Sequence, residues 1–146
     1  IERGKKVMAS DYAKALAQLS EYRFKMDNIF SKFDYIVSPT VAIPPHKCNE
    51  RPNIINGKID ISSIDDKEMF EENDYDYSSW IFVLAQFTAP FNWSGNPAVS
   101  LPCGFTKSGL PIGLQLAGKK RGELSLIQAS KAFEEINPWQ QNRPSI

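Results

Sequence analysis

The sequence predicts an α/β protein with a mixed sheet flanked by helices. Three observations carry this. Segments with apolar residues three and four apart alternate along the chain with short segments of period two. No internal repeat and no low-complexity linker divides the 146 residues. At 42% hydrophobic and 23% charged positions the composition is that of one globular unit, with no domain boundary.

The first element is a helix over about residues 11 to 32. Ser10 is placed to cap it and Asp11 suits its positive N-terminal end. Its apolar stripe is Tyr12, Ala15, Leu16, Leu19, Tyr22, Met26, Ile29, Phe30 and Phe33. Tyr35-Ile36-Val37 then reads as a short buried strand that Ser38-Pro39-Thr40 stops, and Pro39, Pro44 and Pro45 keep the following backbone extended. Asn56-Gly57, between Ile54-Ile55 and Ile59-Asp60-Ile61, is the signature of a tight hairpin. Residues 62 to 79, carrying Asp65, Asp66, Glu68, Glu71, Glu72, Asp74 and Asp76, read as a solvated connection with one helical turn. An acidic metal loop is the sharper alternative, but the glycine and terminal glutamate of a calcium loop are missing.

A second helix is expected from Ser78 or Ser79 through Trp80, Val83, Leu84 and Phe87, with Pro90 ending it and Asn92 to Gly95 turning the chain. Val99, Leu101 and Cys103 alternate with Ser100 and Pro102, and Ile112, Leu114 and Leu116 alternate with Gly113, Gln115 and Ala117. These are two strands, and the short Gly104 to Leu110 connection joins them antiparallel, with Pro102 calling for a bulge or a strand end. Glu123 opens a last helix with Leu126, Ala129, Phe133 and Ile136 as its buried stripe, and Pro138 closes it.

Composition excludes several functions. Seventeen basic and seventeen acidic residues leave no net field to attract nucleic acid or an anionic membrane. The longest apolar stretch, Trp80 to Phe87, is far short of a bilayer span, and no charged-then-apolar pattern opens the chain, so a soluble, cytoplasmic protein is expected. Cys48 and Cys103 lack metal spacing and His46 stands alone, so neither a metal nor a cofactor is expected. The opening Ile1, with no recognisable start before the first helix, sets the expectation of a cut chain.

Nucleophilic chemistry has no complete candidate. The serine pairs Ser62-Ser63 and Ser78-Ser79 lack flanking glycines and suit capping or loop solvation. His46 lies among prolines, and no nucleophile-elbow GxSxG occurs. Cys103 has apolar neighbours and no cation near it in sequence, which suits a buried small hydrophobe. Lys119-Lys120-Arg121 fits a wet corner between strand and helix better than a phosphate site.

The stretch FTAPFNWSGNPAVSLPCGFTKSGLPIGLQLAG, Phe87 to Gly118, resembles the C-terminal hallmark of the amidase signature family. Its most specific parts are Phe87-Thr88, Pro90, Asn92, Ser94-Gly95, Pro97-Ala98 and Leu110 to Gln115. The order of other segments agrees: Ala9 to Tyr12, Phe33 to Thr40, and Gly122 to Glu135. The resemblance runs almost end to end. It implies that residues 1–146 form the C-terminal part of a single amidase domain, incomplete as a domain. The implied parent hydrolyses carboxylic amides by acyl transfer with a serine nucleophile, a bridging serine and a lysine. Those groups belong to an N-terminal segment that nothing here matches, so the chain alone is expected to be inactive, with no catalytic residue of its own.

The implied partners are the missing N-terminal part and a small-molecule amide. Uncovered strand edges also invite self-association into a homo-oligomer. Phe87, Thr88, Asn92 and Trp93 are the expected substrate-binding wall, because a helix ending at a proline-asparagine turn beside the sheet forms a pocket edge; core and turn roles explain the same residues. Relatives that serve as the glutamine-hydrolysing subunit of a tRNA amidotransferase carry an acidic residue two places before the Phe-Thr pair. Ala85 occupies that place, which favours a general amidase. A non-catalytic binding or assembly module is the competing expectation, motivated by the lack of reacting groups.

Overall fold

The computed structural model describes residues 4–43, 45, 53–55, 58–60 and 84–142, the hairpin residues 53–55 and 58–60 by backbone alone. After a 3-10 turn at Gly4–Lys6, helix α1 spans Ala9–Phe30 and strand β1 Tyr35–Pro39. The hairpin strands β2 (Asn53–Ile55) and β3 (Lys58–Asp60) follow, then the short helix α2 (Ala89–Ser94). Strands β4 (Ala98–Phe105) and β5 (Pro111–Gly118) and helix α3 (Glu123–Ile136) complete the order. The α/β class holds, and every strand pairing among the described residues is antiparallel, in a three-stranded sheet β1-β5-β4 and a separate β2-β3 ribbon.

Helix α1 begins two residues before the expected start. The Met8 carbonyl accepts the amides of Asp11 and Tyr12 and no side chain caps the helix, so Ser10 lies inside the first turn rather than at the cap. Only the C-terminal half of its stripe packs. Met26 and Phe30 are buried with Phe91 of α2 and Ala117 of β5, and Tyr22 and Ile36 lean on them. Tyr12 and Leu16 continue the same stripe toward the N-terminus but are 62% and 45% exposed. Ile29 and Phe33, also expected in the stripe, are exposed.

Strand β1 runs to Pro39, two residues past the expected stop. It occupies a sheet edge, where Pro39 sits opposite Leu114 at the strand's end and its missing N–H costs little. The β2-β3 ribbon pairs Ile54 with Ile59 as the hairpin signature requires; the acidic stretch 62–79, His46 and Cys48 lie outside the described residues. The β4–β5 register shifts between Pro102 and Gly104, which is the bulge that Pro102 called for.

Two expectations are corrected. The helix expected from Ser78 or Ser79 lies outside the described residues up to 83, and its last described residues, Leu84 and Ala85, are helical and give way to a turn; Pro90 then stands in the first turn of α2, where a proline needs no N–H partner and arrives with helical φ. The helix therefore includes Asn92, and the expected turn shrinks to Gly95, a left-handed cap at φ 78°. On α3, Ile136 is 83% exposed. Leu126 and Ser130 are buried and Ala129 and Phe133 half-buried, and the stripe continues at Asn137, whose amide donates to the Pro102 carbonyl at 3.3 Å, so Ile136 stands about 100° off that face.

The sheet is thus sandwiched. Alternation puts Ile36 and Ser38, Gly113, Gln115 and Ala117, and Ala98, Ser100 and Pro102 on the face toward α1 and α2. The opposite face, with Leu116 and Leu101 buried, lies under Leu126 of α3, and Tyr35 closes it with a phenol bonded to the Ser125 carbonyl at 3.0 Å.

Candidate functional site

The face toward α1 and α2 carries the polar groups. Gln115, on the central strand, is 3% exposed, and its Nε2 donates to Ser38 Oγ at 3.0 Å and to the Phe87 carbonyl at 2.8 Å. One buried amide therefore ties β1, β5 and the turn entering α2 together. That turn places two of the four residues expected at the substrate wall. Phe87 is half-buried against the sheet, and Thr88, at the N-terminal boundary of α2, donates its hydroxyl to the Ala85 carbonyl at 3.3 Å.

The other two stand further out. Asn92 is exposed on α2. Trp93 is 55% exposed and meets Tyr22 of α1 edge to face, with ring centres 6.3 Å apart, while its carbonyl accepts Arg23 Nε at 3.0 Å. Burial pushes the Tyr22 phenol above its ordinary pKa. The fold brings Phe87 and Thr88 to the sheet and gives Trp93 a place against α1; the four do not converge on one point.

A second group, which the sequence reading did not single out, does converge. The Thr40 amide donates to the Gly113 carbonyl at 2.9 Å, extending β1 by one residue. Its Oγ1 then lies 2.7 Å from Ser100 Oγ, although a whole strand separates the two residues. They meet because Gly113 stands between them without a side chain: a Cβ there would come within 2.8 Å of Thr40 Oγ1 and 3.0 Å of Ser100 Oγ. The hydroxyl pair floors an open cavity of about 470 Å³ walled by Ile43, Leu84, Pro111 and Ile112, among others. Phe87, Thr88, Asn92 and Trp93 do not line it.

The chemistry available here is binding. No lysine, histidine or carboxylate is among the described residues lining the cavity, so none of them offers either hydroxyl a base. Cys103, half-buried, donates its thiol to the Ile112 carbonyl at 3.5 Å. Among the described residues no group of three histidines, cysteines or carboxylates could hold a metal, and no helix is long and apolar enough to cross a membrane. At the basic corner, Lys119 and Lys120 pair with Asp34 and Asp27 at 2.9 and 2.8 Å, and Arg121 takes the turn's positive φ of 60°. Two of the three cations are matched by carboxylates, as a solvated corner requires.

The Amidase family model matches residues 1–127. Among curated relatives, a glutamyl-tRNA(Gln) amidotransferase subunit of Thermodesulfovibrio yellowstonii is 33% identical over 135 residues, which are 92% of this chain and 23% of the relative. Among solved structures, a 6-aminohexanoate cyclic dimer hydrolase complexed with substrate superposes with a TM-score of 0.72 at 26% identity, over 99% of this chain and 28% of the hydrolase. A bacterial aryl acylamidase of the amidase signature family gives 0.71 and 27% over the same shares. The chain spans about a quarter of the length of these relatives.

Proposed function

The chain belongs to the amidase family, whose signature enzymes are hydrolases acting on C–N bonds, and from that premise we propose that it supplies the sheet and one substrate wall of an amide hydrolase. The reacting serine, bridging serine and lysine are contributed by polypeptide outside these 146 residues. The serine attacks the amide carbonyl, ammonia or an amine leaves, and water then hydrolyses the acyl ester. We assign substrate contacts to Phe87 and Thr88 at the entry to α2 and to Asn92 and Trp93 on it, with the Gln115 amide holding the Phe87 carbonyl on the sheet as support.

The observation that carries this reading is the coincidence of two findings, one of coverage and one on α1. The chain spans about a quarter of its relatives, and the apolar stripe of α1 runs past the sheet to Tyr12 and Leu16 with nothing among the described residues to cover it. A stripe of that kind is what a helix presents to further polypeptide.

Similarity to the tRNA amidotransferase supports a second reading, a glutamine-hydrolysing role. Ala85 weighs against it, because a methyl group stands where the resemblance places a carboxylate.

Turnover decides between them. The purified 146-residue chain should cleave neither acetanilide nor glutamine, and the polypeptide that also carries the serine–lysine segment should cleave acetanilide in preference to glutamine. Activity of the short chain by itself refutes the division of labour; glutamine cleavage without anilide cleavage refutes the general amidase.

A further inference from the structure

We propose that Tyr22 and Arg23, neighbours on α1, are positioning residues: they hold α2 at both ends and so fix how Trp93 meets a substrate. This deepens the assignment of substrate contacts to α2 and rests on it.

A helix of six residues does not hold itself. Ala89–Ser94 is about 9 Å long, well short of the length at which isolated helices persist in water, so its shape depends on what the rest of the fold attaches to it. The last four carbonyls of any helix have no partner within it. In α2 the Phe91 carbonyl takes the amides of Gly95 and Asn96 at 2.9 and 3.2 Å, as the left-handed Gly95 allows. The Trp93 carbonyl takes Arg23 Nε at 3.0 Å instead. A guanidinium from another helix therefore caps the C-terminal end of α2, where the helix dipole favours a cation.

Tyr22 holds the opposite end. Its phenol donates to the Pro90 carbonyl, in the first turn of α2, at 3.3 Å. Consecutive residues on a helix stand about 100° apart, and that spread lets Tyr22 take the first turn while Arg23 takes the last. The Tyr22 ring also meets the Trp93 indole edge to face, with 6.3 Å between centres and 79° between planes, an arrangement that the ring quadrupoles favour over others. Between the two ends Phe91 is buried with Met26 and Phe30, one and two turns further along α1.

One residue is thus gripped twice. Arg23 sets where the Trp93 backbone stands, and Tyr22 sets which way its ring turns. The indole keeps 55% of its surface exposed, so the held ring still presents a face. A side chain already ordered loses little rotamer freedom when a ligand covers it, and releasing it weakens binding without touching the reacting groups. Contacts that hold substrate and transition state equally change KM and leave kcat, so loss of Tyr22 or Arg23 is read in KM.

The test joins a spectroscopic signature to kinetics. In the 146-residue chain the indole ¹H–¹⁵N signal of Trp93, assigned through Trp93→Phe, should carry the heteronuclear NOE of an ordered group. That value should fall in Tyr22→Leu and Arg23→Met but hold in Tyr22→Phe and Arg23→Lys, which keep the ring and a cationic donor. In the polypeptide that also carries the serine–lysine segment, Tyr22→Leu and Arg23→Met should each raise KM for acetanilide by about three- to tenfold, the release of one side chain, with kcat unchanged. Trp93→Ala should raise KM at least as much, and in that background Tyr22→Leu should add less than about twofold. A Trp93 indole already mobile in the unaltered chain overturns the proposal, whether or not any variant folds. A fall in kcat in place of the rise in KM also overturns it, since the pair then acts on the site as a whole and not through Trp93. Unchanged KM in Tyr22→Leu and Arg23→Met, where Trp93→Ala raises it, removes the positioning role and leaves the Trp93 contact standing. Unchanged KM in Trp93→Ala removes the contact itself, and the positioning role with it.

Discussion

Replacing Gln115 tests how the wall of the site is held. In Gln115→Leu both hydrogen bonds from Nε2 are lost, those to Ser38 Oγ at 3.0 Å and to the Phe87 carbonyl at 2.8 Å. At about 0.5–1.5 kcal/mol net for each, and with the half-buried Phe87 carbonyl left without a donor, the expected cost is about 2 kcal/mol. For a chain of this size that lowers the thermal midpoint by about 6 °C and the urea midpoint by about 1 M. A double-mutant cycle with Ser38→Ala should return about 1 kcal/mol of coupling, because those two side chains share one bond. Gln115→Glu adds a sign. Ionised, the new carboxylate cannot donate and faces the Phe87 carbonyl, while burial opposes its charge. Its folded pKa is raised above the unfolded value near 4.3, so the variant keeps its stability below that value and loses it as pH rises through the folded pKa. Urea titrations at pH 4 and pH 7 should therefore show the variant more stable at pH 4, relative to the parent chain. Unfolding free energies of both variants within about 0.5 kcal/mol of the parent, with no coupling to Ser38, would refute the account of Gln115 as the tie between sheet and wall.

Gly113→Ala forces its methyl within 2.8 Å of Thr40 Oγ1 and should destabilise by about 1–3 kcal/mol in urea, less in a Ser100→Ala background where one obstructing hydroxyl is gone. Tyr22 has its pKa raised by burial, so its contribution is full below about pH 10 and fades as pH rises through the folded value; Tyr22→Phe should flatten the alkaline arm of a stability–pH curve. Leu126, 4% exposed between α3 and the sheet, should cost about 2–5 kcal/mol as Leu126→Ala, while Ile136→Ala on the same helix should change the urea midpoint by less than about 0.5 kcal/mol.

The parts of the fold legible in the sequence were those whose signal is local. The β4–β5 hairpin follows from period-two alternation and a short turn, and even its bulge is announced by Pro102. Helix α3 follows from its stripe, except at Ile136, where apolar identity outweighed angular position. Pro90 was ambiguous for a physical reason: a proline both ends a preceding helix and starts a following one, and here it stands between helical Leu84-Ala85 and the body of α2. The Thr40–Ser100 pair was illegible because it depends on register across three strands, between residues 60 positions apart. Its one local trace is a glycine in β5 at a position where strands ordinarily carry a side chain. Gln115 showed in sequence as the last residue of the Leu110 to Gln115 hallmark and as one polar position in an alternating strand, neither of which announces its bonds to Ser38 and Phe87.

The two sides of the sheet differ in what packs on them among the described residues. At about 1.5 Å per residue, the 22 residues of α1 extend about 33 Å. Its C-terminal half finds Phe91 and Ala117, and its N-terminal half carries the same stripe to Tyr12 and Leu16, which nothing among the described residues covers. On the other side α3 lies on β4 and β5, and Leu101, Leu116 and Leu126 are all buried. An apolar stripe that keeps its period beyond the surface it packs on calls for more surface. On the α3 side Val37, across from Leu116, is 59% exposed as well, so the described residues leave apolar carbon uncovered on both faces of the sheet.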